Sequence, residues 1–150
     1  MHTQSKFAEL KYSKKIWAVG SIHSHFDSFN SIKEHILKHF VSGDKLVFLG
    51  NIIGFGKYPT ETLSSAINMR NYLLSKFLLK TQDIIFLRGA QEEMFLKLLQ
   101  LQTAPNPQDI VEWMFEHGVD KAANSYGFDA EKIIDVSTQG TLSISRWTAK

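Results

Sequence analysis

The sequence predicts an α/β domain built around a parallel sheet. Three short runs, Ile16–Val19, Lys45–Leu49 and Ile84–Leu87, are nearly continuous in apolar residues, and glycine closes each of them. Continuous rather than alternating apolar runs are typical of strands that are covered on both faces. Helical patterns separate the three strands, so the order β-α-β-α-β predicts parallel pairing with right-handed crossovers.

Two long helices are predicted between the strands. The first is indicated by apolar residues that recur on one helical face, namely Phe26, Phe29, Ile32, Ile36, Leu37 and Phe40. The second begins at Pro59, a residue well suited to a first helical turn, and its pattern continues to Phe77.

The chain after the third strand is predicted to be mainly helical. Helices are expected from Glu92 to Leu101, from Pro107 to Gly118 and from Asp129 to Ile134. The tail from Val136 to Lys150 is rich in serine, threonine and glycine, and it is predicted to be poorly specified.

Composition excludes several classes of function. A length of 150 residues suits one domain, and a net charge of +2 without a dense Lys/Arg stripe gives no argument for a nucleic-acid partner. The chain has no cysteine, which excludes disulfides and thiolate metal sites. No apolar stretch approaches the roughly 20 residues that cross a bilayer, and the N-terminus lacks a secretory signal. We therefore expect a cytoplasmic protein without membrane or nucleic-acid partners.

Ligands of parallel α/β sheets bind beyond the carboxyl ends of the strands. Three loops leave those ends, at residues 20–24, 50–54 and 89–92. If the strands are neighbours, the loops converge and form a place for a site.

These loops resemble the signature of the calcineurin-like metallophosphoesterases, which is written D-x-H, G-D-x-x-D and G-N-H-[D/E]. The segments "LVFLGNIIGFG" and "IIFLRGAQEEMF" are similar to those of the bacterial and phage serine/threonine phosphatases and the diadenosine tetraphosphatases. "EWMFEHGVDKAANSYGFD" resembles the segment that follows in that branch. The resemblance implies a layered α-β-β-α sandwich for residues 15–150, with residues 1–14 as an N-terminal extension.

The resemblance also implies where two metal ions and a general acid would lie. Of the family's metal-ligand positions, His23 is kept, whereas Ser21 and Asn51 replace aspartates and Ala90 replaces an asparagine. Gln91 stands in place of the histidine that serves as general acid.

Several other roles and positions also enter the prediction. Gly54 stands where many members have a second aspartate. Glu92 is kept, and negative charge there also suits the first turn of a helix. Arg88 could contact a phosphate or form a structural ion pair. Ser21 and Ser24 could help a backbone nest to hold an anion.

The lack of negative charge on the candidate ligands argues against a functional pair of metal ions. Two divalent ions about 3.5–4 Å apart repel each other by on the order of 20 kcal/mol at an effective dielectric constant near 20. The remaining candidate ligands, His23, Asn51 and the Ser21 hydroxyl, are neutral, whereas hard cations prefer anionic oxygens. No cofactor is therefore expected, although one weakly held Mn, Fe, Zn or Ni ion stays conceivable.

Members of this branch continue beyond a segment similar to Arg146-Trp147-Thr148 and supply further histidine ligands there. This sequence stops at Lys150, so we expect a domain that is incomplete at its C-terminus. An incomplete sheet would expose an edge or an apolar face, which favours self-association.

The expected function is therefore that of a catalytically impaired or inactive serine/threonine phosphatase-like protein, a pseudophosphatase. Two alternatives stay open: a weakly active metal-dependent phosphoester hydrolase, and a non-catalytic module that binds a nucleotide, another phosphorylated ligand or a protein. A third possibility is a decaying gene product without a selected role.

Overall fold

The computed structural model describes residues 10–149. Its strands and long helices are β1 (Ile16–Val19), α1 (Phe26–His39), β2 (Lys45–Phe48), α2 (Pro59–Phe77), β3 (Ile84–Phe86), α3 (Ala90–Leu98), α4 (Pro107–Glu116), α5 (Val119–Ser125), α6 (Ala130–Thr138) and α7 (Thr141–Thr148). Short 3-10 turns occupy Thr81–Asp83 and Leu101–Thr103. Most of the predicted extension, residues 1–9, and the terminal Lys150 lie outside the described residues.

The three strands form one parallel sheet in the order β1-β2-β3. Ala18 pairs with Val47, and Val47 pairs with Ile85, so chain neighbours are also spatial neighbours. This confirms the predicted α/β class, the parallel pairing and the β-α-β-α-β order. All three strands therefore end at the same edge of the sheet, which is the geometry that a loop site needs.

One hydrophobic cluster joins the sheet to α1 and α2. Phe29 and Leu73 from the two helices and Leu46 and Phe48 from β2 are all fully buried in it. The rings of Phe29 and Phe48 lie 6.2 Å apart. Both helices thus pack against the same side of the strands.

The opposite side of the sheet corrects one prediction. Ile16 of β1, with Leu49 and Leu87 just beyond the ends of β2 and β3, are 48%, 50% and 45% exposed, whereas Val47 in the centre of the same side is only 6% exposed. This face is therefore covered only in part, although the continuous apolar runs predicted burial on both faces. An apolar run shows that both faces of a strand could be buried. It does not show whether other helices or strands of the chain pack against both faces.

A second cluster lies among α3 to α7 and corrects the prediction for the tail. Val136 lies in α6, and Ile144 and Trp147 of α7 are buried with only 1% and 6% of their surface exposed. The predicted poorly specified tail is therefore helical up to Thr148. Its few large apolar residues recur at helical spacing, and the many serines and threonines between them obscured that pattern. Within residues 10–149, no helix combines the length and apolar character that a membrane crossing requires.

Candidate functional site

The three loops meet at the carboxyl ends of the strands, as predicted. The backbone N–H groups of Ile22 and His23 both donate to the carbonyl oxygen of Asn51, at 2.9 and 2.8 Å. Ser24 N–H donates to the carbonyl oxygen of Ile52 at 2.8 Å. The first loop is thereby joined to the second along its main chain.

Glu92 joins the third loop to the second. It lies in the first turn of α3, and one of its carboxylate oxygens accepts the N–H groups of Asn51 and Gly89, both at 2.8 Å. The other oxygen accepts those of Ile52 and Ile53, at 2.7 and 3.3 Å. Because the carboxylate gathers four backbone donors, it caps its own helix and also fixes the neighbouring loop.

Asn51 connects all three loops through its side chain. Its backbone has a φ of 54°, a left-handed conformation that asparagine tolerates better than most residues. Nδ2 donates to Ser21 Oγ at 3.1 Å, and Oδ1 accepts the backbone N–H of Gln91 at 3.0 Å. Ser21, Asn51 and Gln91, three of the predicted site residues, are thus brought together.

Gln91 extends this network toward the helical cluster. The residue is 5% exposed, and its Nε2 donates to the carbonyl oxygen of His117 at 2.9 Å. Ala90, the first residue of α3, is exposed and offers only a methyl group. No local pattern points to His117, since the contact depends on how α4 packs against the loops.

His23 is enclosed by the second loop. Its Nδ1 is buried and has no hydrogen-bond partner among residues 10–149, and its ring lies 5.6 Å from that of Phe55. A Cβ at Gly54 would lie only 2.5 Å from this nitrogen, and Gly54 has a φ of 146°. A larger residue at position 54, such as aspartate, would therefore collide with the imidazole.

These residues do not fit a pair of divalent metal ions. Ser21, Asn51 and Gln91 hydrogen-bond to other groups of the chain, and the carboxylate oxygens of Glu92 already accept backbone N–H groups. Across the part of the chain that is described, no group of three or more His, Cys, Asp or Glu residues could hold a metal ion.

Arg88 is not part of the loop network. Its Nε lies 3.2 Å from Glu93 Oε1, and the two side chains are 65% and 48% exposed. The structure thus shows the ion pair that was the alternative to a phosphate contact.

A mainly apolar cavity of about 290 Å³ lies beside the second and third loops. Ile52, Phe86, Phe95 and Tyr126 contribute to its lining. Partial burial raises the pKa of the Tyr126 hydroxyl above its ordinary value.

Comparisons with family models, with curated proteins and with solved structures give no match to this chain.

Proposed function

We propose that this chain is a degenerate calcineurin-like phosphoesterase domain, similar to serine/threonine phosphatases, with little or no hydrolase activity. The order of the three motif loops supports the relationship, and so does their meeting at the carboxyl edge of a parallel sheet. The substituted positions support the loss of activity.

The observation that carries the proposal is the bonding of Asn51. In the family this position holds the carboxylate that bridges the two metals. In this chain the position holds the neutral amide of Asn51. Its Nδ2 donates to Ser21 Oγ, and its Oδ1 accepts the backbone N–H of Gln91. Hydrogen bonds between loops thus occupy the place that ligand–metal bonds would take, and no negative charge remains there to offset the repulsion between two dications.

Gln91, at the position of the general acid, cannot act as a general acid. A glutamine amide can donate a hydrogen bond but cannot deliver a proton to a leaving alkoxide. Gln91 is moreover held by His117, so its amide faces a carbonyl oxygen of the protein. Both the source of a nucleophilic hydroxide and the source of a proton are therefore missing from this arrangement.

Metal content and turnover test the proposal together. We would purify the full chain with Mn²⁺ present, dialyse it and measure manganese by elemental analysis, expecting less than one ion per chain. Hydrolysis of p-nitrophenyl phosphate with Mn²⁺ or Ni²⁺ should equal that of an EDTA-treated sample. The His23→Ala variant is the matched control, because it removes the one retained ligand. Two manganese ions per chain, or turnover that His23→Ala abolishes, would refute the proposal.

A further inference from the structure

The three strands begin at the edge of the sheet that lies opposite the motif loops. Residues 10–15, 38–45 and 76–83 lead into the strands there, and side chains from all three segments line one cavity of about 420 Å³. A main-chain hydrogen bond joins the first two segments, from Lys14 N–H to the carbonyl oxygen of Gly43 at 2.8 Å. One connected surface is thus formed from parts of the chain that lie far apart in sequence.

This surface is strongly basic. The three segments, which we call the basic edge, contain seven lysines and two aspartates, a net charge of +5, whereas the whole chain has +2. Asp44 is only 1% exposed, and Asp83 Oδ1 lies 3.2 Å from Lys45 Nζ, so the negative charges are buried or paired. The fold therefore concentrates positive charge that no single stretch of the sequence shows. The other lysines of the basic edge are all exposed: Lys11, Lys14, Lys15, Lys38, Lys76 and Lys80.

Large apolar side chains are exposed on the same edge. Among residues 10–149, Tyr12 and Leu78 are the two most exposed large apolar residues, at 99% and 91%, and Val41 is 51% exposed. One of the three lies in each segment, and lysines flank Tyr12 and Leu78 on both sides in sequence. Apolar residues that a polar rim surrounds mark interaction surfaces.

The backbone at Tyr12 and Leu78 makes their exposure unusual. Both residues have a left-handed conformation, with φ of 59° and 49°. Leu78 is the cap residue after α2, a position that glycine or asparagine commonly fills because a Cβ is disfavoured at positive φ. A leucine there strains the backbone and gains little from burial. A contact outside the chain would give this side chain a role that the fold alone does not supply.

Apolar tips among lysines fit an anionic lipid surface better than a nucleic acid. In a bilayer interface the apolar side chains and the lysine stems enter the acyl boundary, while the ammonium groups meet the anionic headgroups. Leucine and valine gain little against a phosphate backbone, and the basic edge contains no arginine, the residue that nucleic-acid surfaces favour. The sequence predicts no membrane partner because no segment is long enough to span a bilayer, but binding at the surface requires no such segment.

We propose that the basic edge docks on an anionic lipid bilayer, with Tyr12, Val41 and Leu78 in the interface and the lysines against the headgroups. This inference goes beyond the proposed function and does not depend on it, because the motif loops leave the opposite edge of the sheet. Docking in this orientation directs those loops away from the bilayer.

Flotation of the full chain with lipid vesicles in EDTA, at constant ionic strength, tests the inference. We expect binding to vesicles of phosphatidylcholine and phosphatidylglycerol, and none to vesicles of phosphatidylcholine alone. Lys14→Gln and Lys80→Gln should each weaken the binding by about fivefold, the effect of one cation near an anionic surface. Lys132→Gln is the matched control, because Lys132 is exposed in α6, and it should leave the binding unchanged.

Leu78→Asn separates docking from folding. Asparagine tolerates the left-handed conformation, so this variant should be at least as stable as the parent chain in urea denaturation. It should nevertheless bind the anionic vesicles about tenfold less tightly, because the apolar contact is lost. Leu142→Asn makes the same change at an exposed leucine of α7 and should leave vesicle binding unchanged.

Four results would overturn the inference. They are no binding to the anionic vesicles, equal binding to both vesicle types, a Leu78→Asn variant that binds like the parent chain, and tighter binding to a DNA duplex at the same phosphate concentration. Because vesicle binding is measured in EDTA, a negative result here leaves the metal and turnover tests of the proposed function unaffected.

Discussion

The carboxylate of Glu92 accepts the backbone N–H of Asn51 at 2.8 Å, although 41 residues separate the two in sequence. The carbonyl oxygen of the same Asn51 accepts two N–H groups of the first loop, from Ile22 and His23. Asn51 therefore lies between the carboxylate and the first loop, and the arrangement of all three loops depends on this residue pair.

Replacing Glu92 with glutamine should destabilise the protein. A glutamine has one acceptor oxygen, and its amide N–H groups would face backbone donors, so several of the four bonds would be lost. We expect Glu92→Gln to lower the free energy of unfolding by about 3 kcal/mol, measured by urea denaturation. Glu93→Gln is the control, because its exposed pair with Arg88 contributes less than about 1 kcal/mol. Equal losses in the two variants would contradict the role assigned to Glu92.

The contact between Gly54 and His23 can be tested with two alanine substitutions. Gly54→Ala adds a methyl group that would lie 2.5 Å from His23 Nδ1, and it also forces alanine to adopt a positive φ. Gly127 has a positive φ as well, but a Cβ there meets open space. We expect thermal denaturation to show a loss of about 1 kcal/mol for Gly127→Ala, and at least about twice that for Gly54→Ala. A similar loss in both would mean that the imidazole moves aside freely.

Introducing carboxylates in the first two loops should make the protein's stability depend on metal. The side chains of Ser21 and Asn51 are 3.1 Å apart, so Ser21→Asp together with Asn51→Asp would place two negative charges side by side. The double variant should melt at a lower temperature than the parent chain at neutral pH, and millimolar Mn²⁺ should raise that temperature by binding the folded state. The melting temperature of the parent chain should not respond to Mn²⁺. A double variant that melts alike with and without Mn²⁺ would contradict this prediction.

The C-terminal helix should contribute strongly to stability. Trp147 is 6% exposed, and its ring lies 5.0 Å from that of Phe128. Trp147→Ala should lower the free energy of unfolding by about 3–5 kcal/mol, as for other large buried residues. Leu142 lies in the same helix and is 76% exposed, so Leu142→Ala should cost less than about 0.5 kcal/mol. A small effect of Trp147→Ala on urea denaturation would show that α7 packs only loosely.

The sheet and the position of the loops could be predicted from sequence because both depend on local patterns. Apolar runs ending in glycine located β1, β2 and β3, with boundaries that differ by one residue at Leu49 and Leu87. Parallel order then placed the three loops at one edge. The exposure of one sheet face could not be predicted, because it depends on where α1 and α2 pack.

The bonds within the candidate site were beyond sequence reasoning. The sequence predicts that Glu92 stabilises the first turn of its own helix, and its carboxylate does accept the N–H of Gly89. Its hydrogen bonds to the second loop depend on the tertiary structure. The bond from Gln91 to His117 depends on the position of α4, which no local pattern reveals. It remains a prediction that His23 or Asn51 can bind a metal ion and that Arg88 can contact a phosphate.

The second and third loops approach each other so closely that a Cβ on Gly50 would overlap the backbone of Gly89. Contacts within the polypeptide hold the two loops together at this glycine crossing, the close approach of Gly50 and Gly89. Metal chelators should therefore leave its geometry intact. Chemistry could then be introduced by exchange of side chains at Ser21, Ala90 or Gln91, without any rebuilding of the main-chain path. The glycine crossing is in this sense a scaffold whose shape does not depend on which side chains surround it.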